Sequence, residues 1–460
     1  MSHTMNYASL LQPLRFEPVG GESLFEATER DRARVVQSAP VRRLQQKTQV
    51  FPLDVKASVR SRLTHSLEVQ QTGRQLMLAL LPRLQGVPEV PLLNLLEMAC
   101  LLHDVGNPPF GHFGESVLRN WLAAELPSLY ARSIGRAPSS QWQRCLLPDL
   151  LAFDGNAQSL RLVHSLQRLN LTYSLLASLI KVPVGIMELQ AESGEQTARV
   201  SEKLGYFFSE RHLVRQLRDT LGLPGRARFP LVYLMEAADD ICYCIADLED
   251  AIDRGLLTLP ELQRALLAQA GDDPYLGTLL TLANGSLDGF FPCFREQLTR
   301  DLVDVLASTY MAEEANILAG QFASPLLGSQ HPCVAVLSAL RRIARQQIFT
   351  RREVQALELQ GHAALSGVLG CYQRLLALPR AAFTGLLAGR GMEYPFELRL
   401  CHRISRRHIE AYQRALREEG SEFVSVDELE WYYRVRLLLD YISGMTDTYI
   451  LEEFRLLCGI

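Results

Sequence analysis

One bend in the chain, Leu101 to Glu115 with the sequence LLHDVGNPPFGHFGE, constrains the fold more than any other segment. An apolar run typical of a helix ends there at a His-Asp pair and a Gly-Asn-Pro-Pro break, because consecutive prolines do not continue a helix. The turn that follows contains another histidine and a glutamate. The bend therefore interrupts helical structure and concentrates groups that can bind a metal ion and transfer protons.

Helical periodicity dominates the rest of the chain. Apolar residues recur at spacings of three and four in segments such as 61–81, whereas alternating segments bounded by hairpin turns are scarce. Asp154, Gly155 and Asn156 are cap-forming residue types ahead of another periodic run, so they predict a helix start. We therefore predict an all-α fold. The tail ELEWYYRVRLLLDYISGMTDTYILEEFRLL is predicted to be helical and to pack on the main body.

Composition and charge narrow the class of protein. The 460 residues are 48% hydrophobic and 21% charged, which is ordinary for a globular chain and provides apolar surface for a core. A formal net charge of −4 argues against a surface that binds nucleic acid throughout. Two arginine-rich stretches, 341–352 and 403–408, could contact phosphates locally or form solvated helix faces.

The cysteines and the apolar runs bear on the compartment. Nine cysteines occur without a CxxC pair or a zinc-ribbon spacing, so they read as small core residues in a reducing compartment. No run of roughly eighteen uncharged apolar residues indicates a membrane span. The N-terminus lacks the basic-then-apolar pattern of a secretory signal. We expect a cytoplasmic protein that makes no membrane contact.

Two histidines and two aspartates form a candidate metal site. His103 and Asp104 are adjacent at a predicted helix end, and His65 in an amphipathic helix is the best upstream partner. Asp239 and Asp240 lie in an apolar helical segment, and buried carboxylates need a cation or a hydrogen-bond network. Neighbouring side chains point about 100° apart on an ideal helix, so only Asp239 is predicted to be a ligand.

The donor set is mixed nitrogen and oxygen. Such a set suits Mn²⁺, Mg²⁺ or Fe²⁺ and leaves coordination positions for water and a phosphate oxygen. A single histidine on a helix is more often an ordinary hydrogen-bonded residue. It is the combination with the Gly-Pro break and the acid pair that favours metal binding.

The order of these residues resembles the H…HD…D signature of the HD-domain phosphohydrolases. Longer strings resemble the bacterial deoxyguanosinetriphosphate triphosphohydrolases, and they span most of the chain from about Arg42 to Tyr449: RLTHSLEVQQTGR, HDVGNPPFGHFGE, FDGNAQSLRLVH, MEAADDICYCIADLEDAI and DYISGMTDTY. The resemblance implies an HD-domain helical core with an additional helical C-terminal region. It divides the chain into an N-terminal extension (1–40), a catalytic core with the metal site (41–260) and a helical region that completes the nucleotide pocket and subunit contacts (261–460).

The resemblance also implies the reaction and the residues that perform it. Enzymes of that family cleave a deoxynucleoside triphosphate into the deoxynucleoside and inorganic triphosphate, and dGTP is the expected substrate here. Carried over, the roles are catalysis for His112 and Glu115, phosphate contacts for Arg62, Lys181 and Lys203, and deoxyribose contacts for Gln49, Tyr243 and Asp247. Lys181 departs in context, since Val182-Pro183 follows it where the family has Tyr-Pro. A homo-oligomer, commonly a hexamer, and a single-stranded DNA effector are implied as well.

The chemistry leaves two roles open for His112. An imidazole titrates near neutrality, and Glu115, three residues later, can fix its tautomer and support its positive form. His112 then either protonates the leaving 5′ oxygen or positions the attacking water. Two other functions compete with the triphosphohydrolase: another HD-domain nucleotide phosphohydrolase or phosphodiesterase, and a nucleotide- or single-stranded-DNA-binding regulator with a vestigial site.

Overall fold

Helices account for 73% of the chain, and the described residues contain no β-strand, which confirms the all-α prediction. The structure is a computed structural model that describes residues 5–53, 56, 58–193, 203–271, 273–328, 330–420 and 424–459. The α-helices of these residues are α1 (Tyr7–Leu10), α2 (Leu24–Val36), α3 (Ala39–Arg43), α4 (Arg62–Leu80), α5 (Glu89–Leu102), α6 (Gly111–Ile134), α7 (Leu147–Leu151), α8 (Gly155–Arg161), α9 (Tyr173–Ala177), α10 (Ile186–Ser193), α11 (Arg211–Leu221), α12 (Pro230–Asp253), α13 (Leu259–Ala270), α14 (Pro274–Gly285), α15 (Phe290–Leu318), α16 (Pro332–Ile343), α17 (Arg352–Ala377), α18 (Arg380–Leu387), α19 (Pro395–Arg403), α20 (Arg406–Glu418), α21 (Val426–Ser443) and α22 (Asp447–Cys458). Short 3-10 turns cover Leu44–Gln46, Leu81–Arg83, Phe208–Glu210 and Leu326–Gly328, and π turns cover Trp142–Leu146, Leu162–Leu166 and Ala344–Ile348.

The chain forms two compact units, each assembled from separate stretches. The first unit contains Met1–His103, Leu171–Leu179 and Leu217–Leu357, and the second contains Asp104–Asn170, Ile180–Gln216 and Glu358–Ile460. The first boundary along the chain is the peptide bond between His103 and Asp104. The functional division into 1–40, 41–260 and 261–460 stays a prediction.

Helices α4, α5 and α12 occupy the centre of the first unit. Helix α4 packs on both α5 and α12, and α2 also packs on α5. Every residue of α5 from Leu95 to Leu102 is buried, and each large apolar side chain so buried contributes about 1.5–3 kcal/mol. Gly73 lets α4 approach α5 closely, because a Cβ there would lie 2.6 Å from Sγ of Cys100. Close packing of these three helices fixes the side chains that they carry.

Helix α21 is the most deeply buried helix segment of the second unit. It packs against α6, α7, α18 and α20, and every residue from Glu428 to Ser443 is buried. Charged side chains on α21 are paired inside the unit: Arg434 with Glu430 at 2.5 Å, Arg436 with Asp149, and Asp440 with Arg161 at 2.7 Å. The second unit therefore has a core that combines apolar packing with paired charges.

Side-chain caps begin the helices near the site. Ser61 accepts a hydrogen bond from the amide of Thr64 ahead of α4. Asp154 accepts one from the amide of Asn156 ahead of α8, so the predicted helix start is confirmed. None of the nine cysteines, all of which lie in the described part of the chain, forms a disulfide. No helix in the described part of the chain is long and apolar enough to cross a membrane.

Candidate metal centre

Three of the four predicted ligands meet within the first unit. His65 lies in the first turns of α4, His103 is the residue at which α5 ends, and Asp239 lies in the middle of α12. Oδ1 of Asp239 is 3.1 Å from Nε2 of His65 and 3.5 Å from Nε2 of His103. The two imidazole rings stand edge to face with centroids 5.5 Å apart, and both are buried. One carboxylate oxygen is thus close to two imidazole nitrogens.

A backbone hydrogen bond at Nδ1 orients the ring of His103. Nδ1 of His103 is 2.6 Å from the carbonyl oxygen of Cys100, and a carbonyl oxygen can only accept a hydrogen bond. Nδ1 is therefore the donor of that hydrogen bond, and Nε2 is the ring nitrogen that faces Asp239. A divalent cation could bind this nitrogen and the carboxylate together.

Asp104 supplies a further carboxylate at the same place. It follows His103 directly in the chain. One ligand atom each from His65, His103 and Asp104 lie within 4.8 Å of one another. Asn107 orients the Asp104 carboxylate, because Nδ2 of Asn107 donates a hydrogen bond to Oδ1 of Asp104 over 2.6 Å. Two imidazoles and two carboxylates fit a borderline or moderately hard divalent ion.

The bend beyond Asp104 is tightly built within the second unit. A Cβ on Gly106 would clash with the carbonyl oxygen of Gly155 and the amide of Ser159, so only glycine fits there. The Gly106 amide donates to Oγ of Ser159 over 3.0 Å. Phe110 adopts a left-handed conformation with φ 62°, and α6 begins at the next residue. The chain thus turns into the helix that carries His112 and Glu115.

His112 and Glu115 are in contact. Nδ1 of His112 is 3.2 Å from Oε2 of Glu115, and Oε1 of Glu115 accepts the amide of Gly155 over 2.8 Å. The His112 side chain is 80% exposed, whereas that of Glu115 is 6% exposed. Burial acts to raise the pKa of Glu115, but the hydrogen bond and charge of His112, the Gly155 amide and the charge of Arg119 together lower it. A fixed, ionised carboxylate therefore orients an accessible imidazole.

The predicted sugar contacts and Arg62 belong to the first unit. An isolated antiparallel bridge joins Thr48 to Ser61, so the segment with Gln49 runs beside the start of α4, where Arg62 is buried. Asp247 is buried on α12, and burial followed by the charges of nearby carboxylates raises its pKa. Oε1 of Gln49 and Oδ1 of Asp247 are buried without a hydrogen-bond partner in the described part of the structure. Both are acceptors that a hydroxyl donor would satisfy.

The two predicted phosphate lysines belong to the second unit. Lys181 is half-buried and Lys203 is exposed. The Gly205 amide donates to the carbonyl oxygen of Val184 over 2.9 Å, which joins the segments that follow the two lysines. A Cβ on Gly205 would clash with the Val182 carbonyl oxygen, so glycine is required at this contact. The backbone therefore pairs the two lysine-bearing segments.

Comparison with known protein families found one match. Residues 62–135 match the HD domain family. The matched HD domain contains His65, His103, Asp104, His112 and Glu115, whereas Asp239 lies beyond it on α12. HD domains bind divalent metals, and the match supports a metal-dependent phosphohydrolase of the HD-domain superfamily.

Several residues around the HD domain site were not assigned from the sequence. Asn107 is part of the motif, and its amide beside Asp104 follows from a three-residue spacing in a turn that sequence patterns do not resolve. Asp447 accepts the Phe110 amide although 337 residues separate the two. Asp240, the second acid of the pair, binds Arg341 and not the histidines. Long-range partners of this kind leave no local signal.

Proposed function

We propose that this protein is a metal-dependent deoxynucleoside triphosphohydrolase that cleaves dGTP, its preferred substrate, into deoxyguanosine and inorganic triphosphate. The observation that carries the proposal is the convergence of Nε2 of His65 and Nε2 of His103 on Oδ1 of Asp239, at 3.1 and 3.5 Å, together with the resemblance of the surrounding motifs. His65, His103, Asp104 and Asp239 would hold Mn²⁺, Mg²⁺ or Fe²⁺. When bound, the ion supplies positive charge to the triphosphate and polarises a phosphoryl oxygen.

His112 performs proton transfer in this proposal. Its Nδ1 faces Glu115, so exchange with the substrate runs through Nε2. The ionised Glu115 stabilises the protonated imidazole and keeps the ring in one orientation. His112 then either protonates the departing 5′ oxygen or orients the water that attacks the α-phosphorus in line with it.

The remaining predicted residues bind the nucleotide. Arg62, Lys181 and Lys203 neutralise the triphosphate, and Gln49 and Asp247 contact the deoxyribose. The 3′ hydroxyl has one proton, so it donates to the buried oxygen of either Gln49 or Asp247. Tyr243 packs beneath the sugar at C2′ and leaves no room for a ribose hydroxyl. The shape of the pocket at C2′ would then select deoxyribose over ribose.

The wider setting is proposed from the resemblance. The enzyme acts as a homo-oligomer, with a hexamer as the expected form, and single-stranded DNA is its proposed effector. The cytoplasm is its proposed location, since cysteines that form no disulfide suit a reducing compartment.

Product identification tests the proposal directly. The purified protein is loaded separately with each metal, incubated with each dNTP and with GTP, and both products are identified by chromatography. Deoxyguanosine and intact triphosphate are expected from dGTP. Orthophosphate or pyrophosphate would point instead to another HD-domain phosphohydrolase. An absence of turnover with every metal would favour the other alternative, a nucleotide- or single-stranded-DNA-binding regulator with a vestigial site.

His212→Ala provides a matched control for His112→Ala in that assay. His212 is also an exposed histidine next to a glutamate, with Nε2 3.8 Å from Oε1 of Glu419. Loss of turnover only in the His112 variant would tie the reaction to the proposed pair.

A further inference from the structure

Asp240 stands next to Asp239 on α12 but faces a different partner. Oδ1 of Asp240 is 2.9 Å from Nη2 of Arg341, which lies on α16. Helices α12 and α16 pack against each other within the first unit. The second acid of the pair is therefore engaged by a guanidinium, while Asp239 faces the imidazoles.

The arginine of that ion pair also contacts Tyr243. The guanidinium carbon of Arg341 is 5.4 Å from the centroid of the Tyr243 ring, within range of a cation–π interaction. Tyr243 follows Asp240 by three residues on α12, so the two side chains project from the same side of the helix. Tyr243 is half-buried, so part of its ring surface stays accessible beside these contacts. The ion pair with Asp240 and the contact with the ring thus place the Arg341 guanidinium beside Tyr243.

The orientation of the Tyr243 ring matters because the group that it must exclude, the 2′ hydroxyl of ribose, is small. Excluding one hydroxyl by shape requires a wall held to within about 0.5 Å, since a ring that changes rotamer would admit the larger sugar. We propose that Arg341 and Asp240 are positioning residues that hold Tyr243 against C2′ and thereby set the preference for deoxyribose over ribose. This inference rests on the proposed function, in which Tyr243 lies beneath the sugar.

The same helix offers a matched control. Ten residues before Tyr243, Tyr233 has a guanidinium over its ring as well, with the carbon of Arg228 4.5 Å from the centroid. Arg228 is paired with Glu236, three residues after Tyr233 on α12. This second cluster repeats the arrangement of arginine, tyrosine and carboxylate but belongs to none of the proposed substrate contacts.

The kinetic test compares kcat/KM for dGTP and for GTP. Arg341→Ala and Asp240→Asn are expected to lower the dGTP:GTP ratio by roughly tenfold, with Arg341→Lys between them and the wild type. Arg228→Ala should leave the ratio unchanged. Adding Arg341→Ala to Tyr243→Ala should lower the ratio no further than Tyr243→Ala alone, because both changes remove the same wall. Ratios within twofold of wild type in both Arg341→Ala and Asp240→Asn would overturn the inference, as would a wild-type enzyme with no preference for dGTP over GTP.

A spectroscopic test does not depend on turnover. With 3-fluorotyrosine incorporated at position 243 alone, the ¹⁹F resonance should shift or broaden in Arg341→Ala and Asp240→Asn and stay unchanged in Arg228→Ala. A resonance that both changes leave unaltered overturns the positioning role even if the protein is active. The wild type could fail to release triphosphate while the ¹⁹F response to the variants is still seen. That result would count against the proposed function but would support the positioning of Tyr243 by Arg341 and Asp240.

Discussion

Oδ1 of Asp447 accepts the backbone amide of Phe110 over 3.0 Å inside the second unit. Phe110 has a left-handed backbone, which is costly for a bulky residue, and it immediately precedes the first turn of α6. Its ring packs against Gly361, where a Cβ on the glycine would lie 2.7 Å from the ring. The Asp447 carboxylate and this packing together hold the turn that presents His112 and Glu115.

We expect Asp447→Ala to loosen that turn. Loss of a buried hydrogen bond to a carboxylate should lower the free energy of unfolding by roughly 1.5–3 kcal/mol. Hydrogen–deuterium exchange should rise in peptides that cover residues 104–116. Asp447→Asn, which keeps an acceptor oxygen, is the control and should retain most of the protection. Unchanged exchange in the alanine variant would show that the packing of Phe110 alone is sufficient.

His112→Ala is predicted to lower turnover of dGTP by roughly 10²- to 10⁴-fold, because a positioned general acid or base contributes that much. Metal content should stay at the wild-type level, since His112 is not among the predicted ligands. Steady-state kinetics and elemental analysis of the same samples check both points. Near-native turnover in a metal-loaded variant would remove His112 from catalysis.

Metal binding should depend on Asp239 and not on its neighbour. Asp239→Asn and His103→Ala are expected to abolish uptake of Mn²⁺, whereas Asp240→Asn should retain it because Asp240 binds Arg341. For the wild type, Mn²⁺ at 100 times its dissociation constant should stabilise the fold by about 2.7 kcal/mol. Calorimetric titration and thermal unfolding with and without Mn²⁺ provide the measurements. Equal loss of binding in the Asp240 variant would contradict the assignment of one acid as ligand.

The helices were predictable from the sequence because their signals are local. Apolar periodicity and cap-forming residues such as Ser61 and Asp154 lie within a few residues of the helix starts that they specify. The proximity of His65, His103 and Asp239 was also expected, since an acid predicted to be buried in an apolar helix requires a partner; the structure has Asp239 half-buried. Their role as ligands remains a prediction.

The partners of the site were not predictable in the same way. Arg341 follows Asp240 by about a hundred positions, and its arginine-rich surroundings could equally indicate a solvated face or a phosphate contact. The structure instead directs Arg341 at Asp240 and Tyr243. Neither periodicity nor spacing specifies which distant helices pack together, so contacts that depend on tertiary packing carry no sequence signal. The division of the chain into discontinuous units was missed for the same reason.

Arg161 is a buried cation, and removal of its partner Asp440 should lower the stability of the fold. Its guanidinium bonds both oxygens of Asp440 and is 2.9 Å from Glu210, and all three side chains are buried. Asp440→Ala should lower the free energy of unfolding by about 3–5 kcal/mol, because it leaves part of a buried cation uncompensated. Glu296→Ala, which breaks the exposed pair with Arg300, should cost less than about 1 kcal/mol. Chemical denaturation of the two variants measures the contrast, and similar losses would contradict it.

The pH dependence of stability should report the contact between Glu115 and His112. The pKa of Glu115 is lower in the folded protein than its ordinary value of 4.5, so its contribution to stability is present above that pH. The contribution disappears as pH falls from about 4.5 through the folded-state pKa, since the unfolded chain then binds the proton first. Glu115→Gln should therefore be less stable than wild type at neutral pH, and the gap should close in acid. Urea denaturation from pH 7 to 3, with a chelator in both samples to remove metal effects, measures the gap; a constant difference across this range would show that the carboxylate is not stabilised by its ionised contacts.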